Sequence, residues 1–301
     1  MKRPHLALSA AVLSLITAVQ AHSTELCVNN ADDSAFCLEQ PAQRIVSLAP
    51  HLTELAFAAG AGAQLVGVVS YSDFPPAARS LPNLGGYHQP DMEKLLSLKP
   101  DLILAWQSGA SPAVLDTLKR LGIKVWVSRG AHLADIPIEL RSIGRLSGHR
   151  AEGEKAADRF EHELNAITQE HAQSRPVRGF FQIWPHPLVT VSDAHFIAEA
   201  MQRCGIENIV GKASTTTPTW SIEAVIRARP ELIMSAEPAR DFERWQRWPE
   251  LPAVKNHALI ILPVDVLTRP GPRLLEGIRA LCAAADKVRA QGIENPSTNA
   301  H

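Results

Sequence analysis

Charge imbalance, long apolar runs and catalytic motifs are what this 301-residue chain has least of. Its 30 basic side chains face 31 acidic ones, a formal net charge of −1, so the basic stripe that attracts nucleic acid is absent. No G-x-S-x-G elbow, P-loop, H-E-x-x-H pair or G-x-G-x-x-G after a strand occurs. The twelve histidines are scattered, so a metal site would need ligands assembled from distant segments. Neither enzyme activity nor a resident cofactor is therefore expected. The apolar run from Leu6 to Ala18 falls short of the roughly 20 residues that a membrane span needs. With Lys2 and Arg3 before it and Val19-Gln20-Ala21 after it, residues 1–21 read instead as a signal peptide. No cysteine stands at the cut, which argues against a lipoprotein. Losing Lys2 and Arg3 leaves 28 basic against 31 acidic side chains, a net of about −3 on an exported, soluble protein.

Cysteines are few: Cys27, Cys37, Cys204 and Cys282. An even number in an oxidising compartment favours two disulfides, and spacing alone allows three pairings. The most local arrangement joins Cys27 to Cys37 across the turn-forming residues 29–33. Cys204 then meets Cys282 across a long loop, for a stabilisation of about 4 kcal/mol on a chain-entropy estimate.

Against these absences stands a repeat. EKLLSLKPDLILA, from Glu93 to Ala105, returns as EAVIRARPELIMSA, from Glu223 to Ala236, with Pro100 on Pro230 and Asp101 on Glu231. Each copy reads as a helix end, a proline stop and a buried strand. Apolar runs alternating with helices imply parallel strands covered on both faces. The fold class is therefore α/β, two Rossmann-like lobes. Between the copies, Ala157, Phe160, Leu164 and Ile167 recur at helical spacing, and no glycine or proline interrupts 154–175. About 22 helical residues make a rigid connector roughly 33 Å long. The expected organisation is an extension over 22–43, a first lobe over 44–148, a connecting helix over 149–174, a second lobe over 175–290 and a disordered tail over 291–301.

Ligands of open α/β sheets collect at the carboxyl ends of strands. Those positions hold Tyr71, Phe74, Tyr87, His88 and Trp106 in the first lobe, and Trp184, His186, Trp220, Asp265 and Arg269 in the second. Aromatics facing each other across a cleft would grip a large flat ligand; alternatively, each merely caps a core. Glu93 and Glu223 open the two repeat helices, where an acidic group complements the dipole by roughly 0.3–1 kcal/mol.

The stretches TELAFAAG, VGVVSYSDFPP, LKPDLILAW, LGIKVWV, CGIENIV and RPGPRLL, spread between Arg44 and Lys287, resemble the periplasmic cobalamin-binding proteins of bacterial vitamin B12 importers. SYSDFPP is fairly specific to that branch; KPDLI is common to the wider class. The resemblance implies two lobes joined by one long helix, with little hinge motion. It places Tyr71, Tyr87 and Trp106 around a corrinoid, and Asp265 and Arg269 on the facing wall. It matches Cys204 and Cys282 to the family's disulfide, and Glu93 and Glu223 to the glutamates that dock on the permease dimer of an ABC importer with its ATPase subunits. The corrinoid is then transported cargo, and the protein a periplasmic monomer. Tyr87, Val189, Thr217 and Val266 depart from the family's aromatics, for which Trp184 and Trp220 would compensate from neighbouring positions. Haem or a ferric siderophore is the alternative cargo, with Tyr71, Tyr87 or His88 as iron ligands for haem. An exported enzyme or a sensor subunit is the alternative of another class.

Overall fold

The computed structural model describes residues 26–236 and 242–293; the expected signal peptide and residues 294–301 of the expected tail lie outside them. Strands β1 (Leu26–Asn29) and β2 (Ala35–Leu38) form a hairpin closed by the Cys27–Cys37 disulfide. The first lobe follows: β3 (Ile45–Ser47), α1 (Pro50–Ala58), β4 (Leu65–Val68), α2 (Met92–Ser97), β5 (Leu102–Trp106), α3 (Pro112–Arg120), β6 (Val125–Ser128) and α4 (Asp135–Ser147). Its parallel strands stand in the order β4-β3-β5-β6. Strand β5, LILAW, is buried over its first four residues, as a strand covered on both faces must be. The hairpin lies along the β6 edge. Ala31 N–H donates to the Val127 carbonyl at 2.8 Å, and Val127 N–H donates to Asn30 Oδ1 at 3.0 Å. It thereby satisfies an edge strand that would otherwise offer itself to other chains.

Helix α5 (Arg150–His171) leads into the second lobe. There β7 (Val177–Gln182), α6 (Phe196–Arg203), β8 (Ile206–Asn208), α7 (Ile222–Ala228), β9 (Leu232–Ser235), α8 (Pro252–Lys255), β10 (Leu259–Ile261) and α9 (Val264–Leu267) precede the closing helix α10 (Leu274–Ile293). The second sheet runs β8-β7-β9-β10, the strand order of the first. Helix α10 covers 291–293, which the sequence pattern had assigned to the tail.

The repeat extends to single hydrogen bonds. Asp91 caps α2 through Lys94 N–H, and Ser221 caps α7 through Ala224 N–H. Lys99 and Arg229, each before its proline, take positive φ of 49° and 48°. Arg44 donates to the Leu98 carbonyl at 2.6 Å, and Arg178 to the Ala228 carbonyl at 2.8 Å, satisfying the last carbonyls of each helix.

Helix α5 buries Ala157, Phe160, Leu164 and Ile167, the face marked by periodicity. It begins ahead of 154 because Gly153 lets it lie against α4: a Cβ there would meet the Leu140 carbonyl oxygen at 2.7 Å. One apolar cluster runs from Ile45 and Leu102 through Phe160 and Leu164 to Phe181, Leu232 and Ile278, so the two lobes share a core through α5. The Cys204–Cys282 disulfide fastens α10 to the end of α6 inside that core.

Candidate ligand-binding cleft

The carboxyl ends of β5, β7 and β9 meet at one cavity of about 300 Å³. Trp106 supplies the first lobe's wall. Phe181, Ile183, Trp184, His195, Phe196 and Ala236 supply the second lobe's wall. Trp106 Nε1 donates to the Arg129 carbonyl at 3.2 Å, which fixes the indole plane. Behind it His51 meets the ring edge-on at a centroid distance of 5.2 Å. Burial, then the Arg269 charge, lowers the His51 pKa to about 3, so this imidazole is neutral. Trp184 remains 54% exposed, an apolar surface open to the cavity. A larger depression of about 510 Å³ lies among α1, α5 and α10, away from the strand ends; charged side chains such as Arg159, Glu163 and Arg279, paired with one another, line it.

The other expected contacts are dispersed. Tyr71 stands 78% exposed on its loop at a φ of 67°. Tyr87 leans on the first lobe's outer apolar cluster and against His88, ring centroids 4.4 Å apart. Trp220 is not brought to the cavity: it packs on Phe180 at 6.1 Å in the second lobe's outer cluster. Asp265, in the first turn of α9, is exposed and pairs with Arg269 at 3.2 Å. Arg269 itself points across the lobe boundary, to Asp73 at 2.7 Å and Glu54 at 3.2 Å.

That boundary holds what sequence reasoning missed. Glu54, buried in α1, accepts from Arg273 at 2.6 and 2.9 Å as well as from Arg269. The Arg273 guanidinium lies 3.9 Å over the Phe74 ring. A lone carboxylate between Leu52 and Leu55 in TELAFAAG was the available signal, since such a group is buried only with partners. Burial pushes the Asp73 carboxyl up, but the hydrogen bond and charge of Arg269 outweigh it and hold the group below its usual range. Among the described residues no cluster of three or more His, Cys, Asp or Glu side chains could hold a metal ion, and no helix is long and apolar enough to cross a membrane.

The family model for periplasmic binding proteins matches residues 45–266. The chain belongs to that family. Like other members it pairs two α/β lobes with a long helix. It is 37% identical over 244 residues to a vitamin B12-binding protein of Vibrio cholerae, covering 80% of this chain and 88% of that protein. A vitamin B12-binding protein of Yersinia pestis is 34% identical over 245 residues, with coverages of 81% and 86%. The crystal structure of the periplasmic vitamin B12 binding protein BtuF of Vibrio cholerae superposes with a TM-score of 0.75 at 36% identity, over 82% of this chain and 98% of that one. A periplasmic heme-binding protein from Roseiflexus sp. RS-1 gives 0.72 at 24% identity, over 82% and 99%, a likeness of fold.

Proposed function

We propose that this periplasmic binding protein captures cobalamin or a related corrinoid between its lobes, without catalysis, and delivers it to an inner-membrane ABC importer. The observation that carries the reading is the 37% identity spanning 88% of a vitamin B12-binding protein, against 24% for a heme-binding neighbour. The cavity agrees with it: Trp106 and Trp184 offer apolar faces to a macrocycle from opposite lobes. Tyr71 and Tyr87 extend that contact on the first lobe, and Asp265 accepts from peripheral amides. A ligand amide buried without a partner would cost about 1–3 kcal/mol. Trp220 supports the second lobe from outside the cleft, and Arg269 acts mainly between the lobes. Glu93 and Glu223, exposed on the first turns of α2 and α7, are the contacts offered to a permease dimer with its ATPase subunits, by a protein acting as a monomer. Export depends on residues 1–21.

Titration of the intrinsic tryptophan fluorescence with cyanocobalamin, and in parallel with haemin, tests the cargo. Saturable quenching at micromolar cyanocobalamin is expected. No response to cyanocobalamin, with a Soret band in the protein as purified, would transfer the site to haem.

A further inference from the structure

The cavity has one polar side chain whose hydrogen-bonding state is fixed by the fold. His195 precedes α6 and caps it: its Nδ1 accepts from Ile197 N–H at 3.1 Å. A nitrogen accepting a backbone proton carries none itself. In the neutral ring the proton therefore sits on Nε2. No described residue takes a hydrogen bond from that Nε2, and unlike Nε2 of His51 it is not sealed inside the protein. The ring stacks on Phe196, centroids 4.6 Å apart, and both residues line the cavity opposite Trp106.

We infer that His195 is a specificity-determining residue of the cleft, donating from Nε2–H to a neutral acceptor, such as a side-chain amide carbonyl, on the rim of the bound macrocycle. The inference rests on reading the cleft as a corrinoid site.

Two features favour this role over the obvious alternative, axial coordination of the ligand's metal. Coordination needs a lone pair on Nε2, and the cap on Nδ1 removes it. Freeing the lone pair would move the proton to Nδ1 and break the α6 cap. The choice of acceptor follows from charge. Burial lowers the His195 pKa to about 4, so near neutral pH the ring is an uncharged donor, and an amide carbonyl meets it without burying a charge. The aromatic walls would then fix the plane of the ligand, and His195 its rotation within that plane.

The test has two arms. Long-range proton–nitrogen NMR on the unliganded protein near neutral pH is expected to show His195 as the Nε2–H tautomer; the Nδ1–H tautomer would overturn the assignment whatever the cargo. His195→Ser keeps a capping oxygen and removes the Nε2–H, its shorter hydroxyl being held back at the helix cap. It is expected to weaken cyanocobalamin binding about tenfold at nearly unchanged melting temperature, and His195→Ala to lower both. Unchanged affinity in His195→Ser would overturn the proposal. So would a visible-band shift of aquocobalamin on binding wild type that His195→Ser abolishes, because it would show coordination. A wild-type protein that ignores cyanocobalamin sinks the corrinoid reading instead, leaving the tautomer measurement to decide the donor.

Discussion

Glu54 of the first lobe and Arg273 of the second are joined by two hydrogen bonds, at 2.6 and 2.9 Å, across 219 positions of sequence. Arg269 adds a third donor to the same carboxylate, and Asp73 a second acceptor for Arg269. The side chains of Glu54, Arg269 and Arg273 are 2%, 12% and 17% exposed, so the cluster is little screened by water. It adjoins the cleft, because Thr268 and Pro270, on either side of Arg269, line the cavity. The lobes are thus held together by a shared core along α5 and by this ionic clasp.

Replacing Glu54 removes the only buried anion of that clasp while leaving two arginines beside each other. Glu54→Gln is expected to destabilise the protein by about 3–5 kcal/mol, the range for breaking a buried pair by one partner. Urea denaturation measures it. A loss below about 1 kcal/mol would mean that Asp73 and solvent suffice, and that the clasp is not structural.

Glu139 of α4 gives a pH signature. Ser128 Oγ and Gly130 N–H donate to its Oε1 at 2.6 and 2.9 Å, while Oε2 is buried without a hydrogen-bond partner. Burial raises its pKa from 4.5 to about 7, against the opposing pull of Ser128 and Gly130. An acid raised on folding stabilises the fold fully below its unfolded value of 4.5, and that stabilisation is lost as the pH rises through about 7. The free-energy effect of Glu139→Gln should therefore shift by about 2–3 kcal/mol in the variant's favour between about pH 5 and about pH 8. His51, neutral through burial, acts oppositely: its contribution is present above 6.5 and fades as the pH falls towards 3. The difference between variant and wild type, not the wild-type curve, is accordingly the quantity to follow by melting. A pH-independent difference would place the Glu139 carboxylate in contact with water.

The two second-lobe tryptophans should separate cleanly. Trp184→Ala removes a cavity wall and is expected to weaken cyanocobalamin binding at least tenfold, or about 1.4 kcal/mol, with little change in stability. Trp220→Ala strips packing from Phe180 and should cost about 1–3 kcal/mol of stability while leaving affinity within about threefold. The reverse pattern in paired titrations and melts would put the ligand on the Trp220 side of the second sheet.

The architecture was legible because its signals are local. Pro100 and Pro230 stop helices, LILAW and LIMS are strands covered on both faces, and the Ala157-Phe160-Leu164 spacing draws a helix face. Helix α4 was not visible, since Pro137 and Gly144 lie within a segment that only packing against α5 makes helical. The site was half legible. Strand ends brought Trp106 and Trp184 together, yet nothing local distinguishes Trp220 from Trp184, because which loop turns inward is decided by contacts such as that with Phe180. The Glu54–Arg273 pair joins residues at opposite ends of the chain, and pattern reading has no access to such partners.

The paired glutamates allow the strongest separation of structure from transport. Asp91 and Ser221 already supply the capping oxygens of α2 and α7, so Glu93 and Glu223 are not needed to close those helices. Both are exposed, and the Glu223 carboxyl is held below the usual range by its own backbone N–H and by Ser221, so it is ionised at every physiological pH. What each adds to the fold is the small dipole contribution of a helix's first turn. The substitution Glu93→Ala with Glu223→Ala should therefore leave the fold and cyanocobalamin affinity near wild type. On the proposed docking role, uptake through the cognate importer in proteoliposomes should fall by an order of magnitude or more, because each carboxylate removed would leave a basic partner on the permease unpaired. A single substitution should lose part of the effect, since on this proposal the two similar lobes would make two equivalent contacts with a two-fold permease. Uptake equal to wild type in the double variant would reduce both glutamates to dipole complements and move the docking surface elsewhere on the lobes.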